Sequence, residues 1–433
     1  MDAKLKKIRH FLLEDPRGMF YLISAVGLLL YFIVSFRYGQ TVYHWLVQEN
    51  DPGIRFSDYF AHFARTGDRK HLYENITWDA MGCFPPLAYC MYYALYKLTA
   101  VKGFFSLKEA EVEDIPGALP VFTYYLIFCA LLFFIAISVT ERKNRKKDLM
   151  IFTLLMMSAI FFGSGYLMGN STMLVVSMLI LTIHLREDNA PVRREMSLVL
   201  LASCIALKLY PAVFGLLYLK DKRYKELARL VLYSLILLLG PFVFFGGRRG
   251  FLYWLKHITT TMHYTDYARP QYLLGIFYTL IKRFTGRDEK MVCAVLAVLV
   301  CLIWTRLAWR SKSKYRTMFF LIAIMVFFPA NAYRYSLSYF TIPLIAFLKA
   351  EKPEGLRKWH TRPVMALFGL LFTIPVWWMA VIWVRKTYNY YTLTSVEIYL
   401  YLITYILIVL VMLAELLDKT GRQTEKTVSY LQS

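Results

Sequence analysis

Asp58 stands near the start of residues 56–67, Phe-Ser-Asp-Tyr-Phe-Ala-His-Phe-Ala-Arg-Thr-Gly. The alternation of apolar and polar positions predicts a short amphipathic helix, which Ser57 or Asp58 would cap and Gly67 would end. Two roles are open to Asp58. It can be a plain solvent-exposed N-cap, or a carboxylate at a membrane surface that takes a proton from an attacking hydroxyl. Lys208 interrupts the apolar run 197–219. An ionisable group at membrane depth is expensive enough that a function is the first expectation, with snorkelling from a short helix as the other reading. Arg334 lies between Tyr333 and Tyr335, and His257 and His263 sit with Lys256 in a second amphipathic stretch. An interfacial anchor and structural histidines are the plain alternatives there. None of these groups has metal-ligand spacing to carboxylates, and the six cysteines lie mostly inside apolar runs, so no metal site is expected.

The elements that must position these residues are membrane helices. Of 433 residues 58% are hydrophobic and only 18% charged, below the ~25% of soluble domains. That excludes a disordered chain, a coiled coil and an ordinary soluble globule, and fits a polytopic membrane protein. The net charge of +22 would suggest nucleic acid in a soluble protein, but here the basic residues form short clusters between apolar runs, where they set topology. The apolar runs are 19–36, 119–139, 149–168, 171–186, 197–219, 229–246, 291–309, 317–331, 336–349, 363–384 and 395–417. With one of them doubled as a hairpin, the expected fold is an all-α polytopic bundle of about 12 transmembrane helices (about 11–13). The first run has no small-residue cleavage site after it and reads as an uncleaved span.

Placing every basic cluster (the N-terminus, 142–147, 186–194, 220–229, 310–316, 349–362 and the tail 418–433) in the cytoplasm imposes two conditions. Residues 84–101 cannot be a full crossing and become a helix lying against the outer membrane face, begun by Pro85 and Pro86. Residues 197–219 become a re-entrant hairpin hinged at Lys208-Leu209-Tyr210-Pro211, with arms of about 11 residues, or ~17 Å. The competing arrangement makes both segments single crossings and exposes two basic loops outside. Either way, 37–83 and 247–290 lie outside on a single domain, and the first outer region, 37–118 when 84–101 stays at the surface, carries ten acidic and eight basic residues, unlike the cytoplasmic loops.

In this setting the first outer loop resembles a family. Asp58-Tyr59, then Gly67, Leu72-Tyr73 and Phe84-Pro85-Pro86-Leu87 are similar to the corresponding loop of polyprenyl-phosphate-sugar-dependent glycosyltransferases of the GT-C superfamily, nearest to the bacterial membrane α-mannosyltransferases. The likeness continues in order through Gly169-Asn170-Ser171, Lys208-Leu209-Tyr210-Pro211, Pro270-Gln271-Tyr272 and the 328–335 turn, and covers about residues 15 to 350. Asn170 stands for the family's Gln, Pro270 for its Asn, and Arg334-Tyr335 for its His pair.

The resemblance implies transfer of a sugar, mannose or a related hexose, from a polyprenyl-phosphate carrier to a glycan or glycolipid hydroxyl at the outer face, in a site between 37–118, 247–290 and 331–335. A single displacement needs one carboxylate, and Asp58 occupies the family's base position; a retaining reaction would need a second. Lys208, Arg334, His257 and His263 are the candidates for the leaving phosphate. Tyr59, Tyr73, Asn170, Gln271 and Tyr333 are expected to contact substrate, with Trp78, Tyr89, Tyr92 and Tyr93 completing an amphipathic cavity that stacks on sugar. No cofactor is expected to be essential, although a divalent ion could bridge the phosphate. No glycine-rich phosphate loop marks a nucleotide-sugar donor. The rivals are a lipid-linked glycan polymerase or ligase, resting on Arg and His, and a flippase, which would usually show paired repeats.

Overall fold

The computed structural model describes residues 15–38, 57–74, 84–99, 117–140, 145–158, 169–263, 271–329, 334–349, 360–385 and 400–418. Among the described residues there are helices and no strand, as a chain in lipid requires when every backbone amide must find its partner within its own segment. Among the described residues four helices are long and apolar enough to cross a membrane: α4 (Ala118–Val139), α9 with its 3₁₀ extension (Tyr224–Phe244), α12 (Lys290–Arg310) and α16 (Leu400–Asp418). Shorter apolar helices accompany them, among them α6 (Thr172–Leu185). α1 (Pro16–Tyr38) packs along α15 (Thr361–Arg385). Two glycines make that approach close: a Cβ on Gly27 would meet the Thr373 side chain at 2.7 Å, and one on Gly369 would meet Ile23 Cβ at 2.9 Å. Without a hydrophobic drive between helices in lipid, such small-residue seams supply the packing.

α6 and α7 (Pro191–Leu207) run side by side, and the chain then turns back. Lys208 is extended (φ −150°, ψ 121°), a 3₁₀ turn covers Tyr210–Gly215, and α8 (Leu216–Lys220) follows. The break has a local cause, because Pro211 has no N–H to offer the Leu207 carbonyl that a continued helix would use. Both ends of the hairpin are pinned. At the hinge Lys208 reaches Thr172 at the start of α6; at the base Arg186, at the end of α6, bonds the Leu217 carbonyl and Asp221. Segment 197–219 therefore goes out and returns beside α6. Its outgoing arm is longer than expected, since α7 begins at Pro191, which suits a first helical position.

The described residues of the basic clusters meet at the hairpin's base. Lys220 donates to the Ala308 and Ser311 carbonyls, Lys314 pairs with Glu187 at 2.6 Å, and Arg229 pairs with Glu195. Lys349, ending α14 (Thr341–Lys349), pairs with Asp148 in α5 (Arg145–Met156), and Lys147 bonds the Leu348 carbonyl. Arg316 in α13 (Lys314–Phe327) holds Glu415 and Asp418, so the last described helix ends there too. Of the expected crossing 149–168, α5 supplies the part to Met156, and 159–168 lie outside the described residues.

At the opposite end, α2 (Ser57–Arg65) is the expected short helix. α3 (Pro86–Lys97) replaces the expected surface helix 84–101, and the difference is more than length. Tyr89, Tyr92 and Tyr96 are buried against α2 and α7, because a face of three tyrosines gains more by packing on aromatic neighbours than by lying at a membrane surface. The expected loop 247–290 is itself largely helical, as α10 (Gly247–His263) and α11 (Leu273–Thr285), the latter closed by Gly286 in the left-handed conformation.

Candidate active site

Lys208 lies at the centre of the hairpin end, 4% exposed. Its Nζ donates to Thr172 Oγ1 at 2.8 Å and stands 4.6 Å from the ring centre of Tyr335, 5.5 Å from that of Phe84 and 5.7 Å from that of Tyr210. Cation–π attraction from three rings compensates part of the lost hydration of a buried ammonium. Tyr335 belongs to the 3₁₀ turn Arg334–Phe340, so the backbone of Arg334 adjoins the ring nearest Lys208. Asn170, also buried, accepts from Thr172 N at 3.0 Å and from Thr172 Oγ1 at 2.8 Å. Lys208 and Asn170, 38 positions apart in the sequence (208 − 170), thus act on one hydroxyl.

Gly169 explains how Asn170 is placed. Its φ is +65°, where a Cβ is strained, and that Cβ would lie 2.6 Å from Tyr59 Cβ and 2.5 Å from the Phe122 ring. Gly169→Ala is expected to lower stability by about 1–3 kcal/mol from the backbone conformation alone, with the clash adding to it, read as a fall in the thermal unfolding midpoint in detergent.

His62 also lies against Phe84, with ring centres 4.2 Å apart. Its Nδ1 is 3.1 Å from Tyr89 Oη, and its ring stacks on Tyr92. Burial first, then the positive charges of Arg65 and Lys208, bring its pKa from 6.5 down to about 3. The folded protein keeps this imidazole neutral while the unfolded chain protonates it, so folding stability falls as pH drops from 6.5 toward about 3. Unfolding midpoints at about pH 7 and about pH 5 are expected to lie closer together in His62→Gln than in the wild type.

The first outer loop also meets the second. Gly246, at φ +80°, lies under the Lys70 carbonyl, and Gly250 packs against Tyr73 and the Phe245 carbonyl. Glu74 pairs with Arg249 at 3.0 Å. Tyr73 packs on Phe242 and donates to the Phe84 carbonyl.

Of the residues expected from sequence, Lys208, Asn170 and the Arg334 backbone come together, with α2 alongside. Asp58 is the second residue of α2, one turn before His62; only its backbone is described. Tyr59 and Tyr73, with Tyr89 and Tyr92, do not line an open cavity. They are fully buried in an aromatic cluster in which Tyr59 packs on Phe60, Phe63, Phe122 and Tyr125, and this corrects their expected role as a sugar-stacking wall. Burial likewise holds the Tyr59 phenol well above its usual pKa. Gln271 is buried just ahead of α11, and His257 is buried on α10. The backbone of His263 is described as the end of α10, and Tyr333 and Trp78 lie outside the described residues. His62, Thr172 and Tyr335 were not expected. The signals were present: His62 follows Asp58 by one helical turn, Thr172 opens α6, and Tyr335 adjoins Arg334. Among the described residues no group of three His, Cys, Asp or Glu could hold a metal ion.

An all-helical apolar bundle with a buried cation at one end and its basic clusters at the other defines a polytopic membrane protein. Residues 115–330, just under half of the chain, match the family model of Glycosyltransferase family 87. The match supports a membrane glycosyltransferase of the GT-C type. It takes in Gly169, Asn170, Lys208, His257 and Gln271, while Asp58 and Arg334 lie outside it. A search of curated proteins gave no match.

Proposed function

We propose that the protein transfers a monosaccharide, mannose or a related hexose, from a polyprenyl-phosphate carrier to a hydroxyl of a glycan or glycolipid at the extracytoplasmic membrane face. The observation that carries this reading is a buried Lys208 among aromatic rings, beside the helix that bears Asp58, at the end of the bundle away from the basic clusters. Positive residues favour the cytoplasmic side, so in this reading both termini face the cytoplasm and the Lys208 end faces out. There a donor carried by lipid enters laterally, and the bundle completes about 12 crossings.

The chemistry is one inverting displacement. The acceptor oxygen bonds the anomeric carbon as the bond from that carbon to the phosphate oxygen breaks, Asp58 takes the hydroxyl proton, and the lipid phosphate leaves with its electron pair. Lys208 meets the charge that grows on the phosphate, with Arg334, His257 and His263 as further contacts and Asn170, Gln271 and Tyr333 as contacts to sugar. In this reading no cofactor is essential to these steps, and a divalent ion could bridge the phosphate. The test offers purified protein a panel of polyprenyl-phosphate monosaccharides with candidate acceptors. Consumption of one donor supports the reading and names the sugar. Binding of lipid-linked oligosaccharide without consumption of any panel donor would favour the ligase or flippase.

A further inference from the structure

We propose that Thr172 is a positioning residue for Lys208, and that Asn170 acts through it, so that the pair sets how tightly the site takes an anionic phosphate. This rests on Lys208 being the group that receives the donor's phosphate. The Thr172 hydroxyl has one proton, and it is given to Asn170 Oδ1 at 2.8 Å; the oxygen then turns a lone pair to Lys208 Nζ, also at 2.8 Å. Asn170 Oδ1 is held in its turn by Thr172 N at 3.0 Å. All three side chains are buried, Thr172 completely.

The arrangement matters because lysine is a compact charge on a flexible four-carbon stem, whereas threonine is stiff at its first torsion. A tethered ammonium has already lost the rotamer freedom that phosphate binding would otherwise take from it. Tyr335, Phe84 and Tyr210 give the ammonium a broad attractive surface with little directional preference. Thr172 supplies the direction. An alternative is that the hydroxyl merely satisfies the start of α6, in which case its loss would weaken the fold and leave the distinction between charged and neutral ligands untouched.

The experiment measures equilibrium binding of a polyprenyl monophosphate and of the matching uncharged polyprenol to the purified full chain in detergent, with unfolding midpoints alongside. Wild type is compared with Thr172→Val, Thr172→Ser, Asn170→Ala and Lys208→Gln. Thr172→Val is expected to bind the phosphate about tenfold more weakly, as loss of a hydrogen bond to a charged group allows, with polyprenol affinity unchanged. Thr172→Ser, which keeps the hydroxyl, is expected to restore most of that loss, and Asn170→Ala to weaken phosphate binding about threefold. Unchanged phosphate affinity in Thr172→Val, an equal loss for both lipids, or an equal loss in Val and Ser would overturn the proposal. If Thr172→Val does not fold, Asn170→Ala decides alone, and wild-type affinity in it overturns the proposal. A wild type that fails to prefer phosphate over alcohol, or a Lys208→Gln variant that keeps the preference, would instead sink the reading of Lys208 itself, and the proposal with it.

Discussion

Asp58→Asn, purified beside the wild type, is expected to lose sugar transfer by about 10²–10⁴-fold, the range a positioned general base contributes, while keeping its unfolding midpoint. Asparagine is the informative choice because it keeps the side chain's size and removes only the carboxylate. α2 begins at Ser57, so Asp58 lies inside its first turn and is not the expected cap; were it only a first-turn acid, the variant would be fully active, whereas if its carboxylate takes the acceptor's proton, the isosteric amide cannot replace it. The location of α2 supports the second role. His62, one turn on, is buried against Phe84, and Phe84 lies against Lys208, so a single ring links α2 to the buried cation. The family match begins at residue 115, so the first outer loop rests on this geometry and on its own resemblance. Progress curves with a saturating donor, for both proteins in one detergent, are the measurement.

Lys349→Met is expected to cost about 3–5 kcal/mol of stability, the penalty for leaving one member of a buried ion pair alone. Lys349 and Asp148 are 3% and 1% exposed and meet at 2.7 Å, and Lys349 also donates to the Ile137 carbonyl at the end of α4. The pair joins α4, α5 and α14 far from Lys208, so the loss should appear in thermal unfolding while donor affinity at moderate temperature is preserved. Replacing both partners, as Lys349→Met with Asp148→Leu, is expected to recover most of the loss, because apolar groups of similar size remove the stranded charge. A single variant as stable as the wild type would show that water reaches Asp148 in the folded protein.

Much of this architecture was legible in the sequence, for identifiable reasons. Apolar runs and basic clusters are local, and the parity they impose required 197–219 to return to its starting side, as it does beside α6. Pro211 and Lys208 marked the hinge because each is costly inside an apolar helix. Long-range packing was not legible. Tyr59 and Tyr73 looked like a sugar-stacking wall, since a tyrosine has the same composition whether its ring faces a cavity or Phe122 and Phe242. Thr172 carries little signal of its own in the sequence, because one threonine at a helix start is unremarkable until a lysine 36 positions later (208 − 172) arrives on its hydroxyl. His62 stood inside the string that held Asp58, but only its burial between Phe84 and Tyr92 gives it a role.

The glycine seam between α1 and α15 has a consequence for how the chain is made. Gly27 meets Thr373 and Gly369 meets Ile23, each pair 346 positions apart in the sequence (373 − 27, 369 − 23). As synthesis proceeds from the N-terminus, α1 emerges well before α15, so the seam stays open while the helices between them are made. A ribosome halted before residue 361 would leave α1 still waiting for its neighbour.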